Sequence, residues 1–144
     1  MKIGIGSDHA GFELKEKIVK YLQEKGYECV DYGPYSEDRV DYPDYGELVA
    51  RKILAKEVDK GVLICGTGIG ISVAANKVKG IIAAVCSEPY SARLTVQHNN
   101  ADIIAFGARV VGEDMAKMIV DEFLNAKFEG GRHAMRVEKI HSID

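Results

Sequence analysis

Three short apolar runs in the second half of the chain constrain the fold more than any other feature. GVLIC (61–65), IIAAVC (81–86) and DIIAF (102–106) are almost unbroken in apolar, largely β-branched residues. Runs of that length without polar alternation read as strands buried on both faces of a sheet. KIGIGS (2–7) and ECVDY (28–32) are two further strand candidates. Between them lie segments of helical length and period. Residues 12–25 place Leu14, Ile18 and Leu22 at i, i+4 and i+8 and stop at Gly26; residues 44–57 carry Leu48, Val49 and Ile53; residues 113–126 carry Met115, Ile119 and Phe123. Strands alternating with helices predict an α/β fold with a parallel sheet and helices on both faces. With 144 residues and no internal repeat, the chain suits one domain, 1–144.

Several function classes are disfavoured. A net charge of −3 gives none of the basic footprint that nucleic acid requires. No apolar run approaches the ~20 residues of a membrane span. Met1 and Lys2 lead straight into a strand, with no signal segment visible, and three cysteines (Cys29, Cys65, Cys86) without a C-x-x-C pair read as reduced thiols; a cytoplasmic protein is expected. The histidines His9, His98, His133 and His141 are scattered along the chain, so no metal site is expected. The turn Gly66-Thr67-Gly68-Ile69-Gly70 is followed by Ile71, which places the third glycine one position early for a dinucleotide fingerprint, and no phosphate-binding Gly-Lys-Ser/Thr loop exists. No cofactor is expected.

In parallel α/β sheets, ligands gather at the carboxyl ends of the strands. That rule selects Asp8 and His9, the long connection 33–43, Cys65 with its glycine turn, Ser87 and Glu88, and the stretch after Gly107. Each has two readings. Cys65 is either a small buried hydrophobe at a strand end or a thiolate favoured by the start of a helix. Glycines after it let backbone N–H groups converge on an anion. Asp8 either caps the first helix or reaches, with His9, into a cleft. His98, in the segment His98-Asn99-Asn100-Ala101 at a strand entrance, is either a surface helix terminus or an acid–base group. Arg132 and Arg136 stand at i, i+4 after Gly130-Gly131, so on a helix they face one way. They form either a solvated basic face or a fork for phosphate, to which Arg109 adds a third charge.

The segments SDHAGFELK (7–15), VDYPDY (40–45), ICGTGIGISVAANK (64–77), HNNA (98–101), GARVVG (107–112) and GGRHAMR (130–136) together resemble type B ribose-5-phosphate isomerases and the related galactose-6-phosphate isomerase subunits, over essentially the whole chain. The resemblance implies a three-layer α/β/α, Rossmann-like sandwich around a five-stranded parallel sheet. It implies metal-free, cofactor-free interconversion of D-ribose 5-phosphate and D-ribulose 5-phosphate through a cis-enediolate. Carried over by position, Cys65 is the proton acceptor and His98 the proton donor that helps open the sugar ring. Asp8, His9 and Asn99 contact substrate, the backbone of Gly66, Thr67, Ile69 and Gly70 around Gly68 binds the developing oxyanion, and Arg109, Arg132 and Arg136 bind phosphate. It further implies a homo-dimer or tetramer whose sites draw on two chains, with the arm from about 130 to 144 against a neighbour and Arg109 the first choice to cross over. Isomerisation of a hexose 6-phosphate (allose or galactose 6-phosphate) is the alternative within the same chemistry. A non-catalytic sugar-phosphate or nucleotide-binding module is the alternative outside it, and the joint presence of Cys65, His98 and the three arginines weighs against that.

Overall fold

The computed structural model describes all 144 residues. Five strands form one parallel sheet: β1 (Lys2–Ser7), β2 (Glu28–Asp31), β3 (Lys60–Cys65), β4 (Ala83–Val85) and β5 (Ile103–Gly107). Six helices accompany them: α1 (Phe12–Glu24), α2 (Tyr42–Leu54), α3 (Ile69–Asn76), α4 (Pro89–Asn99), α5 (Glu113–Asn125) and α6 (Arg132–His141). The strand order is β2-β1-β3-β5-β4. The chain thus moves from β1 to one edge, returns past it to β3, and reverses again between β4 and β5.

The alternation of side chains along each central strand feeds two cores. Ile3 and Ile5 of β1, Val62 and Ile64 of β3, and Ile104 and Phe106 of β5 face α1, α4 and α5. Leu63 and Cys65 of β3, with Ile103 and Ala105 of β5, face α2 and α3. The sandwich therefore has the three layers expected, with α6 packed on the end of α4.

Element limits differ from the sequence reading in places with identifiable causes. β4 is shorter than 81–86: Asp102 Oδ2 takes the Ile82 N–H at 2.9 Å just before the strand begins, and the side chain of Asn76 takes both backbone groups of Ala83 at its open edge (Oδ1 to N–H, 2.7 Å; Nδ2 to C=O, 2.8 Å). α2 runs 42–54 rather than 44–57: Pro43 fits a first helical turn, and Lys56 in the left-handed region (φ 60) ends the helix. No helix is long and apolar enough to cross a membrane.

Candidate active site

β1 and β3 end side by side where the strand order reverses. Ser7 pairs with Ile64, and the Asp8 N–H donates to the Ile64 carbonyl at 3.1 Å. This delivers Asp8, His9 and Cys65 to one place. Asp8 is buried and its Oδ1 accepts the Gly11 N–H at 3.0 Å, which closes the turn before α1; Gly11, not Asp8, is the N-cap of that helix. His9 Nδ1 lies 3.2 Å from the Val40 carbonyl oxygen and 3.3 Å from the Val40 nitrogen, so either tautomer finds a backbone partner. That contact ties the connection 33–43 to the site.

Cys65 is buried at the end of β3, and its Sγ accepts the Gly68 N–H at 3.2 Å. A donor aimed at sulfur bonds a thiolate more strongly than a thiol. Gly68 has φ +80, and a Cβ on it would lie 2.6 Å from the Phe106 carbonyl carbon, so both the backbone angle and the approach of β5 demand glycine. The N–H groups of Gly66 and Thr67 have no acceptor in the chain, and Gly70 and Ile71 lie in the first turn of α3, where N–H groups lack helical partners. Thr67 Oγ1 accepts the Ile69 N–H at 3.2 Å. The sulfur thus sits at the positive end of α3, bonded by the Gly68 N–H, with the unpaired N–H groups of Gly66 and Thr67 in the same turn. Arg109 is exposed, forms no ion pair, and places Nη1 3.3 Å from where a Cβ on Gly66 would stand. Tyr42 lays its ring over Gly70, whose Cβ would meet Cε1 at 2.6 Å.

A second group lies elsewhere. His98 is in the last turn of α4 and Asn99 is its final residue. α4 runs toward the start of β5, and the register pairs Gly61 with Ile103 but Cys65 with Gly107. At ~3.3 Å per residue, the end of α4 lies about 13 Å along the strands from Cys65. It also belongs to the opposite face of the sheet. One chain does not bring Cys65 and His98 together.

Arg132 and Arg136 stand on α6, exposed and without ion pairs, beside His98 rather than Cys65. Gly130 (φ +69) and Gly131 (φ +55) redirect the chain so that α6 meets α4. His133 stacks on His98, ring centroids 4.3 Å apart and planes 11° apart. The two Nε2 atoms face Glu129 Oε1, at 3.8 Å from His98 and 3.6 Å from His133. Burial holds His133 below the usual histidine range; His98, Arg132 and Arg136 act the same way, and Glu129 opposes them.

The expectation of scattered histidines fails here, because the turn at 130–131 joins positions distant in sequence. His98, Glu129 and His133 keep their donor atoms within 4.8 Å of one another. Nearly parallel rings aim their lone pairs along separate planes, and two arginines stand nearby.

A family model described as Ribose/Galactose Isomerase matches residues 3–140. The chain belongs to the ribose/galactose isomerase family. Ribose-5-phosphate isomerase B of Escherichia coli (strain K12) is 57% identical over 143 residues, covering 99% of this chain and 96% of the relative. The structure of the Clostridium thermocellum ribose-5-phosphate isomerase B superposes with a TM-score of 0.97 at 56% identity, covering 98% of this chain and 95% of that one. The Mycoplasma genitalium ribose-5-phosphate isomerase B with bound ribulose-5-phosphate superposes at 0.92 with 46% identity, covering 97% and 93%.

The candidate residues divide into two spatially separate groups, each a candidate half-site. Asp8, His9, Cys65, the turn Gly66–Gly70 and Arg109 form one; His98, Asn99, Arg132 and Arg136 form the other. Arg109, the first choice as the residue lent to a neighbour, is exposed and within its own chain lies beside Gly66. Sequence reasoning missed Tyr42, Glu129 and His133 as site-lining residues. Tyr42 lies within the long connection 33–43 already marked, and His133 lies between the two marked arginines, so both carried a signal. Glu129 carried none.

Proposed function

We propose that the chain interconverts D-ribose 5-phosphate and D-ribulose 5-phosphate at a site completed by two copies of itself. The carrying observation is the Cys65 sulfur accepting the Gly68 N–H at the head of α3, while His98 of the same chain lies at the opposite edge and on the opposite face of the sheet. The second half-site supplies what the first lacks, so a neighbour's His98 and arginine pair complete it. In this arrangement the arm from about 130 to 144 lies against the neighbour, in a homo-dimer or tetramer. The three free thiols accord with a reducing, cytoplasmic setting.

The chemistry follows from the charges that must be managed. His98 donates a proton to the ring oxygen, the bond from that oxygen to C1 breaks, and the O1 proton passes to water as the free aldehyde forms. The Cys65 thiolate removes the C2 proton, and the electron pair shifts to make the cis-enediolate. Negative charge grows on the carbonyl oxygen, where amides from Gly66 to Gly70 receive it; losing one such donor costs about 10²–10³ in turnover. Return of the proton to C1, with transfer of the O2 proton to O1, yields the ketose. Arg132 and Arg136, assisted by Arg109 and His9, grip the phosphate, and this remote binding positions C1 and C2. Asp8 and Asn99 bond sugar hydroxyls.

The test is turnover of purified protein, after exhaustive chelation, on ribose 5-phosphate against allose 6-phosphate. The expected kcat/KM favours ribose 5-phosphate by about tenfold or more, the scale on which a pocket reads one carbon unit. A preference for the hexose would overturn the substrate assignment, and activity restored only by added divalent metal would overturn the metal-free chemistry.

A further inference from the structure

We infer that Glu129 is a positioning residue for the isomerisation: its carboxylate sets the orientation in which His98 presents its proton to the sugar. The inference rests on the reading of His98 as proton donor, and four features of the second half-site carry it.

Glu129 is tied to the end of α4 by its own backbone, whose N–H donates to the Gln97 carbonyl at 3.0 Å, one residue from His98. It stands immediately before the left-handed pair Gly130 and Gly131, so the turn that brings α6 onto α4 also fixes where its side chain begins. Its Oε1 faces Nε2 of both stacked rings, and it is the one carboxylate within 4.0 Å of either. Neither ring forms any other polar contact in the chain, so beside the stack on His133 only the carboxylate restrains the rotation of His98 about its side-chain bonds. A carboxylate facing one ring nitrogen keeps a proton there and turns the opposite edge outward. Nδ1 is then the edge offered to a ligand, and the proton it gives to the sugar is the second proton of the imidazolium, Nε2 keeping the first. The present separations are longer than hydrogen bonds, as is common before substrate arrives. The stack on His133 blocks one face of the ring and leaves the carboxylate to select among the remaining orientations.

The experiment compares wild type with Glu129→Gln, Glu129→Ala and His98→Asn. Readouts are kcat, KM for ribose 5-phosphate, the thermal midpoint, and the ¹⁵N resonances of His98, assigned by their loss in His98→Asn. Glu129→Gln, which keeps side-chain size and removes charge, is expected to lower kcat about 10–100-fold while KM stays within about twofold. The His98 resonances should move from a single tautomer toward a mixture. A merely structural role would lower the midpoint and leave those resonances unchanged in the folded fraction. If Glu129→Ala unfolds, the isosteric Gln variant decides. Wild-type kcat in Glu129→Gln, or a lowered kcat with unmoved His98 resonances, overturns the inference. An active His98→Asn would instead sink the proton-donor reading on which it rests; an inactive His98→Asn beside a fully active Glu129→Gln would sink this inference alone.

Discussion

Replacing Gly68 by alanine probes the turn around Cys65 through two separable costs. The first is conformational: at φ +80, a residue with a Cβ loses about 1–2 kcal/mol. The second is steric: the new Cβ would stand 2.6 Å from the Phe106 carbonyl carbon and 2.7 Å from its Cα, atoms of a central strand with nowhere to retreat. Relieving such a collision costs about 1–3 kcal/mol, as overpacking does elsewhere. Together these lower stability by about 2–5 kcal/mol, which at this chain length lowers Tm by about 6–20 °C. Gly26→Ala is the internal control. Gly26 has φ +93 but nothing within 4 Å of its Cβ position, so it bears the first cost alone, about 3–8 °C. Function adds a second readout. Backing the turn away from β5 pulls the Gly68 N–H off the sulfur, and turnover of Gly68→Ala should fall about 10²–10³-fold in the protein that remains folded. Gly26→Ala should turn over normally. Scanning fluorimetry with an isomerase assay below both midpoints reads both effects. Equal Tm losses for the two variants, or near-wild-type turnover in folded Gly68→Ala, would refute the reasoning.

Two further outcomes follow from charge. Arg136→Ala should raise KM for the phosphorylated sugar by about 30-fold, the loss of about 2 kcal/mol of charge-assisted bonding, and leave any turnover of unphosphorylated sugar unchanged; equal losses on both substrates would mark a structural role. Burial pushes the Cys29 and Cys86 thiols up from 9.0 to about 11, with Glu88 adding to the effect at Cys86. Between those values the unfolded chain releases thiol protons that the folded chain keeps, so these groups add stability below pH 9 and lose it as pH rises toward 11. The urea midpoint should fall from pH 8.5 to pH 10.5, and less steeply in a Cys29→Ala/Cys86→Ala variant; identical slopes would contradict the assignment.

Much of the fold was legible because it rests on local pattern. The unbroken apolar run 61–65 is the central strand β3, and the spacing of Leu14, Ile18 and Leu22 is the buried face of α1, whereas the equally unbroken run 81–86 supplies the partly exposed edge strand β4 and not one buried on both faces. The strand order was not legible, because insertion of β5 between β3 and β4 is a non-local pairing that no local signal encodes. The first half-site was legible for a physical reason: strand-end residues at a sheet's carboxyl edge converge whatever their separation in sequence. For the second, the sequence supplied the residues and withheld their location. His98 stands at a strand entrance, and an entrance lies at the opposite edge from the carboxyl ends; that rule already separates it from Cys65. Its stack on His133 depends on the Gly130–Gly131 turn, whose direction is a matter of backbone angle and not of residue type alone.

The central claim is that each working site takes its base from one chain and its acid from another. The direct measurement mixes two inactive proteins, Cys65→Ala and His98→Asn, under conditions of subunit exchange. In a mixed dimer, one site collects both defects and the other collects neither. Native mass spectrometry counts the mixed dimers, and an assay on ribose 5-phosphate follows turnover. With random pairing, half the dimers are mixed and each holds one intact site, so activity should return to about one quarter of wild type. If base and acid served within one chain, every site would keep a defect, and absence of recovery with mixed dimers present would contradict the account.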